Sequence, residues 1–150
     1  METQNLRMPA NVQLHVNQQL IEDSSARFKV IKAGKRFGKT IWALYGMIRK
    51  AALKSGLYWY TAPTYGQASD IAWGELLRIM PRGLIYGSPK VYNLSVKLIN
   101  GSDIRLKGED NIDSLRGPEL DGVVRDECSY SPGDAWGSIL RGQLSKRKGF

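Results

Sequence analysis

The sequence predicts an α/β domain: a mainly parallel sheet flanked by helices, with an inserted β-hairpin. Three observations predict it. Short apolar runs alternate with segments whose apolar residues recur at helical spacing. A basic, glycine-bearing turn at residues 33–40 separates a strand-like run from a helix-like one. Asn100-Gly101 joins two alternating runs, a combination that favours a tight hairpin turn because a type I′ turn needs positive φ at both central residues.

Each element follows from its residues. Residues 1–12 lack an apolar pattern and are expected to form a loose arm. Residues 15–21 have short helical spacing, and Glu22-Asp23-Ser24-Ser25 ends it. Residues 27–32 alternate towards a strand. From residue 40 to 53, Ile41, Leu44, Tyr45, Ile48 and Ala52 form a helical stripe. Residues 57–62 make a dense apolar strand that Pro63 stops. Residues 67–80 return to helical spacing through Ile71, Leu76, Leu77 and Met80, closed by Pro81-Arg82-Gly83. The hairpin arms are expected at residues 91–99 and 102–106, a further strand at 121–125 and a last helix at 134–144.

With 150 residues the chain fits one domain able to bury a core without covalent staples. Its single cysteine, Cys128, excludes an internal disulfide framework and a cysteine-rich zinc site. No apolar run is long enough to span a membrane, and no secretory signal is visible. The expected compartment is therefore cytosolic, with no membrane partner. The net charge is +8, from 22 Lys and Arg against 14 Asp and Glu. Such an excess suits a polyanionic partner, nucleotide or nucleic acid, though a merely basic soluble protein shows it too.

The turn Ala33-Gly34-Lys35-Arg36-Phe37-Gly38-Lys39-Thr40 fits the pattern [AG]-x-x-x-x-G-K-[ST]. Set between strand and helix, it is a phosphate-binding loop, or Walker A motif. Gly34 and Gly38 are expected to let the backbone curl so that successive N–H groups face one point. The following helix adds its positive N-terminal end. Lys39 is placed to reach the β- and γ-phosphates of ATP, and the Thr40 hydroxyl to ligate Mg²⁺.

Such a site needs a carboxylate on a neighbouring strand. Asp126-Glu127 follows the short run Gly122-Val123-Val124-Arg125. Asp126 then serves the Mg²⁺ shell as a Walker B aspartate, and Glu127 activates the attacking water. The pair makes the fold class a P-loop NTPase of the ASCE type. Arg125 sits badly in a buried strand, so either its face opens or it pairs with a carboxylate.

With these residues in place, the chain resembles the large terminase subunit of tailed bacteriophages from about residue 14 to 150. Leu14-His15-Val16-Asn17-Gln18-Gln19 is similar to that family's adenine-contacting segment, residues 33–40 to its Walker A loop, and residues 60–68 to the strand and loop after the first helix. Residues 113–121, Asp126-Glu127 and Asp134-Ala135-Trp136 follow in the family's order. The resemblance implies an ATPase that drives double-stranded DNA into a procapsid in the host cytoplasm. It implies partners in a portal, a small terminase subunit and further copies of the chain in a ring. Gln18 would read the adenine edge, with Gln19 the second candidate. The family carries a γ-phosphate-sensing arginine four residues before the Walker A lysine. Here that place holds Lys35, with Arg36 beside it, and lysine cannot make a planar bidentate contact. Phe37 completes the loop. Arg116, before Walker B, faces nucleotide, DNA or a neighbouring subunit on this analogy. The resemblance also implies a coupling strand, the rest of an ATPase domain and a metal-dependent nuclease domain beyond residue 150. The chain is thus expected to be the N-terminal part of such a protein, without DNA-cutting activity.

Other conspicuous residues have plainer readings. Trp42, Trp59, Trp73 and Trp136 fall on apolar faces and suit a core better than a base stack. His15 reads as a cap or packing residue, and Lys146-Arg147-Lys148 as a solvated helix end. Two alternatives to a packaging ATPase are a P-loop DNA helicase or remodelling ATPase, and a truncated remnant that binds nucleotide or DNA without turnover.

Overall fold

The computed structural model describes residues 12–131 and 133–150. The arm expected over residues 1–12 lies, save for Val12, outside them. Helix α1 is Val16–Asp23, and α2 is Lys39–Leu53. Strand β1, Leu57–Ala62, is followed by helix α3 over residues 65–79, a continuous helix whose middle, Ala68–Trp73, is π-wound. Strands β2 (Ser95–Lys97), β3 (Asp103–Gly108) and β4 (Gly122–Arg125) come next. Helix α4 covers residues 135–145 and opens with a π-wound segment, Ala135–Leu140.

The sheet order is β2-β3-β1-β4. β1 runs parallel to β3 and to β4, with Tyr60 opposite Leu106 and Val124, while β2 is antiparallel to β3. The sheet is thus mainly parallel, as its sequence predicts. The hairpin is not an appendage, because its second arm, β3, is an interior strand. Its turn also differs from the type I′ expectation. Gly101 has φ +89°, but Asn100 is not left-handed. Gly101 N–H donates to Leu98 O and Leu98 N–H to Ser102 O, the three-residue form with a left-handed glycine. The Asn100 amide instead donates to the carbonyls of Ala51 and Ala52 at the end of α2.

Period-2 burial sorts the side chains between two layers. Tyr58, Tyr60, Val96, Ile104 and Leu106 enter the larger core with Leu44, Met47 and Ile48 of α2 and Leu76 and Ile79 of α3. Trp59 enters a smaller core on the other face with Leu115, Leu120, Ile139, Leu140 and Leu144. Trp59 and Trp73 are buried, and Trp136 packs against the smaller core.

One expected strand is missing. Residues 27–32 join no ladder, and Val30 is 96% exposed. The edge of β4 beside which a strand would pair is taken at its start by Phe150. The Phe150 N–H donates to Asp121 O, and its carbonyl accepts from Val123 N–H, the bonding of a parallel neighbour. Gly122 permits this approach, since a Cβ there would stand 2.4 Å from the Phe150 ring. Arg27, the first residue of that stretch, donates to the carbonyls of Gly149 and Leu144 in the segment that leads to Phe150. With this chain segment between it and β4, residues 27–32 have no ladder to join.

Candidate nucleotide site

The C-terminal ends of the parallel strands β1 and β4 meet the N-terminus of α2. That is where an open α/β sheet binds ligands. The turn before α2 takes its left-handed steps at Arg36 (φ +66°) and Gly38 (φ +78°), with Gly38 as the N-cap of α2. Gly34 itself is not left-handed, and the second such position is Arg36. Lys39 folds back over the turn, its ammonium donating to Ala33 O at 2.8 Å and Gly34 O at 3.3 Å. The lysine therefore sits over the concave side of the loop, held by carbonyls. Lys35 and Arg36 are exposed at its tip.

Gln18 supports the loop from below. Its amide nitrogen donates to Phe37 O (2.9 Å) and Gly38 O (3.2 Å), and its amide oxygen accepts from the His15 N–H. The residue is 5% exposed. His15 is the N-cap of α1 in a reciprocal capping box with Gln18. The His15 ring also meets Phe37 edge-on, with centroids 4.8 Å apart. The helix carrying Gln18 is thus bolted to the loop at Phe37 and Gly38. Gln19 is directed away, bonding Asp23 on the exposed side of α1.

The acid pair lies across from this loop. The Thr40 hydroxyl donates to Asp126 Oδ2 at 2.9 Å, so residues 86 positions apart in sequence meet at one point. The Tyr60 hydroxyl donates to the same oxygen at 2.5 Å. Burial first, and the Asp126 hydrogen bond second, push the Tyr60 hydroxyl far above its ordinary pKa, so it remains a donor. Glu127 is exposed and left-handed, φ +49°, and its N–H donates to Asp126 Oδ1. A glutamate in that conformation carries backbone strain of about 1 kcal/mol or more, a cost that concentrates at functional positions. Among the described residues there is no group of three or more His, Cys, Asp or Glu side chains able to hold a metal ion alone. The hydroxyl and carboxylate at Thr40 and Asp126 fit a hard divalent cation that keeps most of its waters and takes phosphate oxygens.

Arg125 resolves into an ion pair. Its guanidinium meets Glu109 in a two-pronged contact, at 2.8 Å and 2.6 Å. Glu109 is 1% exposed and also accepts from the Thr61 hydroxyl at 2.6 Å. Burial pushes the Glu109 carboxyl up, but hydrogen bonds from Arg125 and Thr61 outweigh it and hold it below its ordinary value of 4.5. Arg125 is raised by the same contact. Sequence reading found neither Tyr60 nor Glu109. The awkward Arg125 was itself the signal that a buried carboxylate had to lie nearby.

Arg116 stands apart from this cluster, paired with Asp113 on the surface at 3.1 Å. The Lys146-Arg147-Lys148 run is partly an ion-pair network. Lys146 and Arg147 reach Glu119, and Arg147 also reaches the buried Asp121.

Comparison with known proteins agrees with this architecture. No protein-family model matches the chain. The large terminase subunits of Thermus phage G20c and Thermus virus P23-45 are each 28% identical to it over 162 residues, covering 95% of the chain. The chain spans about a third of their length, 32%. The solved large terminase ATPase domain of Thermus phage P74-26 superposes with a TM-score of 0.81 at 26% identity, covering 92% of this chain and 62% of that one. A point variant of that domain matches equally well, with 63% of it covered. Over nearly its whole length the chain is similar in sequence to phage large terminase subunits and in fold to a large terminase ATPase domain.

Proposed function

We propose that residues 13–150 form the N-terminal part of a P-loop ATPase domain that binds and hydrolyses Mg-ATP as part of a DNA-packaging motor. The observation that carries this reading is the meeting of Thr40 with Asp126 beneath a loop whose lysine folds over it. In this reading the N–H groups of residues 34–40 and the Lys39 ammonium hold the phosphates. Thr40 and Asp126 hold Mg²⁺, which neutralises phosphate charge when bound. Glu127 orients and deprotonates water, and Lys35 and Arg36 meet the outer phosphate from the loop tip. Phosphoryl transfer needs positioning and charge neutralisation more than covalent chemistry, and this set of groups supplies both. Gln18 ties the adenine-side helix to the loop, so base and phosphate recognition share one rigid support. The partners that follow are double-stranded DNA, a portal and procapsid, a small terminase subunit and further copies of the chain, in the host cytoplasm. The similarity to large terminase ATPase domains favours this over a helicase, and strand displacement on a forked duplex would overturn that preference.

Calorimetry with Mg-ATP tests the site directly. Lys39→Ala is expected to abolish measurable binding while leaving the far-ultraviolet circular dichroism unchanged. A folded Lys39→Ala chain that binds as the wild type does would remove the loop from nucleotide binding. Gln18→Ala is expected to weaken Mg-ATP several-fold and lower the melting temperature, because the two loop carbonyls lose their buried donor. Unchanged affinity would detach α1 from the site.

A further inference from the structure

Among the described residues, the face of the sheet that holds Trp59 is only half covered. Strand register says which side chains share it, since paired residues project to the same side. Trp59 is opposite Arg105, Arg105 is opposite Ser95, and Ser95 is bridged to Lys90. Thr61 is opposite Lys107, and Asp103 is opposite Lys97. Over the first part of β1 and β4 this face is apolar, with Leu57, Trp59 and Val123 in the smaller core with α4, and at the strand ends it carries Thr61 and Arg125. Over β2 and β3 it changes character. There it presents Lys90, Lys97, Arg105 and Lys107, while Val96, Ile104 and Leu106 go to the opposite face and are fully buried.

Among the described residues these four cations share the face with two carboxylates, both already paired: Asp103 is bound to Arg105 at 2.6 Å, and Glu109, just past the end of β3, is bound to Arg125 at 2.6 Å. Lys90 and Lys97 are exposed, and the Arg105 side chain is 40% exposed. Lys107 lies with its ammonium 5.3 Å from the Trp59 ring centre. Burial first, and the neighbouring Arg105 second, pull its pKa below the ordinary value. An anion arriving here would relieve that repulsion. Tyr86, whose N–H donates to Lys97 O, adds an aromatic ring that is 68% exposed beside the cations. A sheet face with balanced charge would need no explanation, but one whose carboxylates are already paired while its lysines add further positive charge is a footprint for a polyanion.

We propose that this half-face, Lys90, Lys97, Arg105 and Lys107, binds the phosphate backbone of duplex DNA. The choice of duplex rests on the reading of the chain as part of a DNA motor, whereas the charge pattern stands apart from it. Arg105 and Lys107 stand about 7 Å apart along β3, Lys97 lies diagonal to Arg105, and Lys90 lies one strand beyond Ser95, so a flat array of cations faces the phosphate backbone. Among the described residues the patch offers long cationic side chains, and both carboxylates of its face are already paired. Binding there is therefore insensitive to sequence and strongly dependent on salt, which suits a protein that moves along DNA.

Fluorescence anisotropy with a short labelled duplex, repeated over a salt series, tests this. The wild-type chain is expected to bind with a log–log salt slope of about −3 to −4 for four neutralised phosphates. Lys90→Glu with Lys97→Glu is expected to weaken binding at least tenfold and to flatten the slope by about 2. Both side chains are exposed, so the melting temperature should hold. Arg78→Glu, on α3 over the opposite face, serves as the charge control and is expected to change binding by less than threefold. Equal losses in the control and the double variant would reduce the effect to net charge and overturn the assignment. Wild-type affinity in the double variant would overturn it too. If the wild-type chain itself fails to bind the duplex at low salt, the DNA reading falls, while Mg-ATP calorimetry reports separately on the nucleotide site.

Discussion

Glu127→Gln is expected to leave Mg-ATP binding within about twofold of wild type and to cut ATP hydrolysis by about 10²–10⁴-fold, the usual contribution of a general base. The substitution is nearly isosteric and keeps the backbone N–H that donates to Asp126. It removes only the carboxylate. Asp126, Thr40 and Lys39 remain to hold metal and phosphate, so binding and turnover should separate cleanly. Calorimetry measures the first, and phosphate release by a hydrolysing preparation measures the second. The left-handed backbone at Glu127 sharpens the expectation. Glutamine tolerates that conformation about as well as glutamate does, so the loss should not come from a rearranged loop. A Glu127→Gln protein that hydrolyses ATP at the wild-type rate would take Glu127 out of the mechanism. Loss of binding and turnover together would assign it to the ligand shell instead.

Much of this site was legible because it rests on local patterns. The 33–40 turn has a fixed spacing, and β1 was bounded correctly at residues 57–62 by a dense apolar run and Pro63. α1, α2 and β4 lie within two residues of their expected limits. The meeting of Thr40 and Asp126 was foreseen because the chemistry demands it, not because spacing shows it. What escaped is long-range. Residues 27–32 alternate like a strand, yet a strand needs a partner edge, and pairing is invisible to periodicity. Residues 91–94 alternate too, but the ladder begins only at Ser95, after a short 3₁₀ turn and a left-handed Leu94. Tyr60 read as one more apolar residue of β1, and only the fold shows its hydroxyl at Asp126. The half-covered basic face of β2 and β3 was hidden for the same reason, since it depends on register and on where α4 stops.

Arg125→Met is expected to destabilise the fold by about 3–5 kcal/mol, because it strands the Glu109 carboxylate in a buried site. Glu109 is 1% exposed and relies on two contacts from Arg125 and one from Thr61. Removing the guanidinium leaves a single hydroxyl to compensate a buried charge. Glu109→Gln is expected to cost less, since Arg125 is the more exposed partner, with 19% of its side chain accessible. Glu109→Leu with Arg125→Met should recover most of the single-variant loss, because a well-packed apolar pair can replace a buried ion pair at little cost. Urea unfolding of the wild type, Arg125→Met, Glu109→Leu and the double variant gives the coupling energy, and purely additive losses would mean that the two residues do not act as a pair. The pH dependence supplies an independent check. The Glu109 carboxyl is held below its ordinary 4.5 in the folded chain, so the unfolded state binds its proton more readily. Its contribution is therefore fully present above that value and is lost as the pH falls through the lowered folded value. Wild-type stability should fall on the acid side below about pH 4.5, and the apolar double variant should lose less over the same range. Because Arg125 directly precedes Asp126, the single variants should also weaken Mg-ATP binding, whereas a tightly packed double variant should regain part of it. That joint recovery would show that the buried pair holds the end of β4 in place for the carboxylates that follow it.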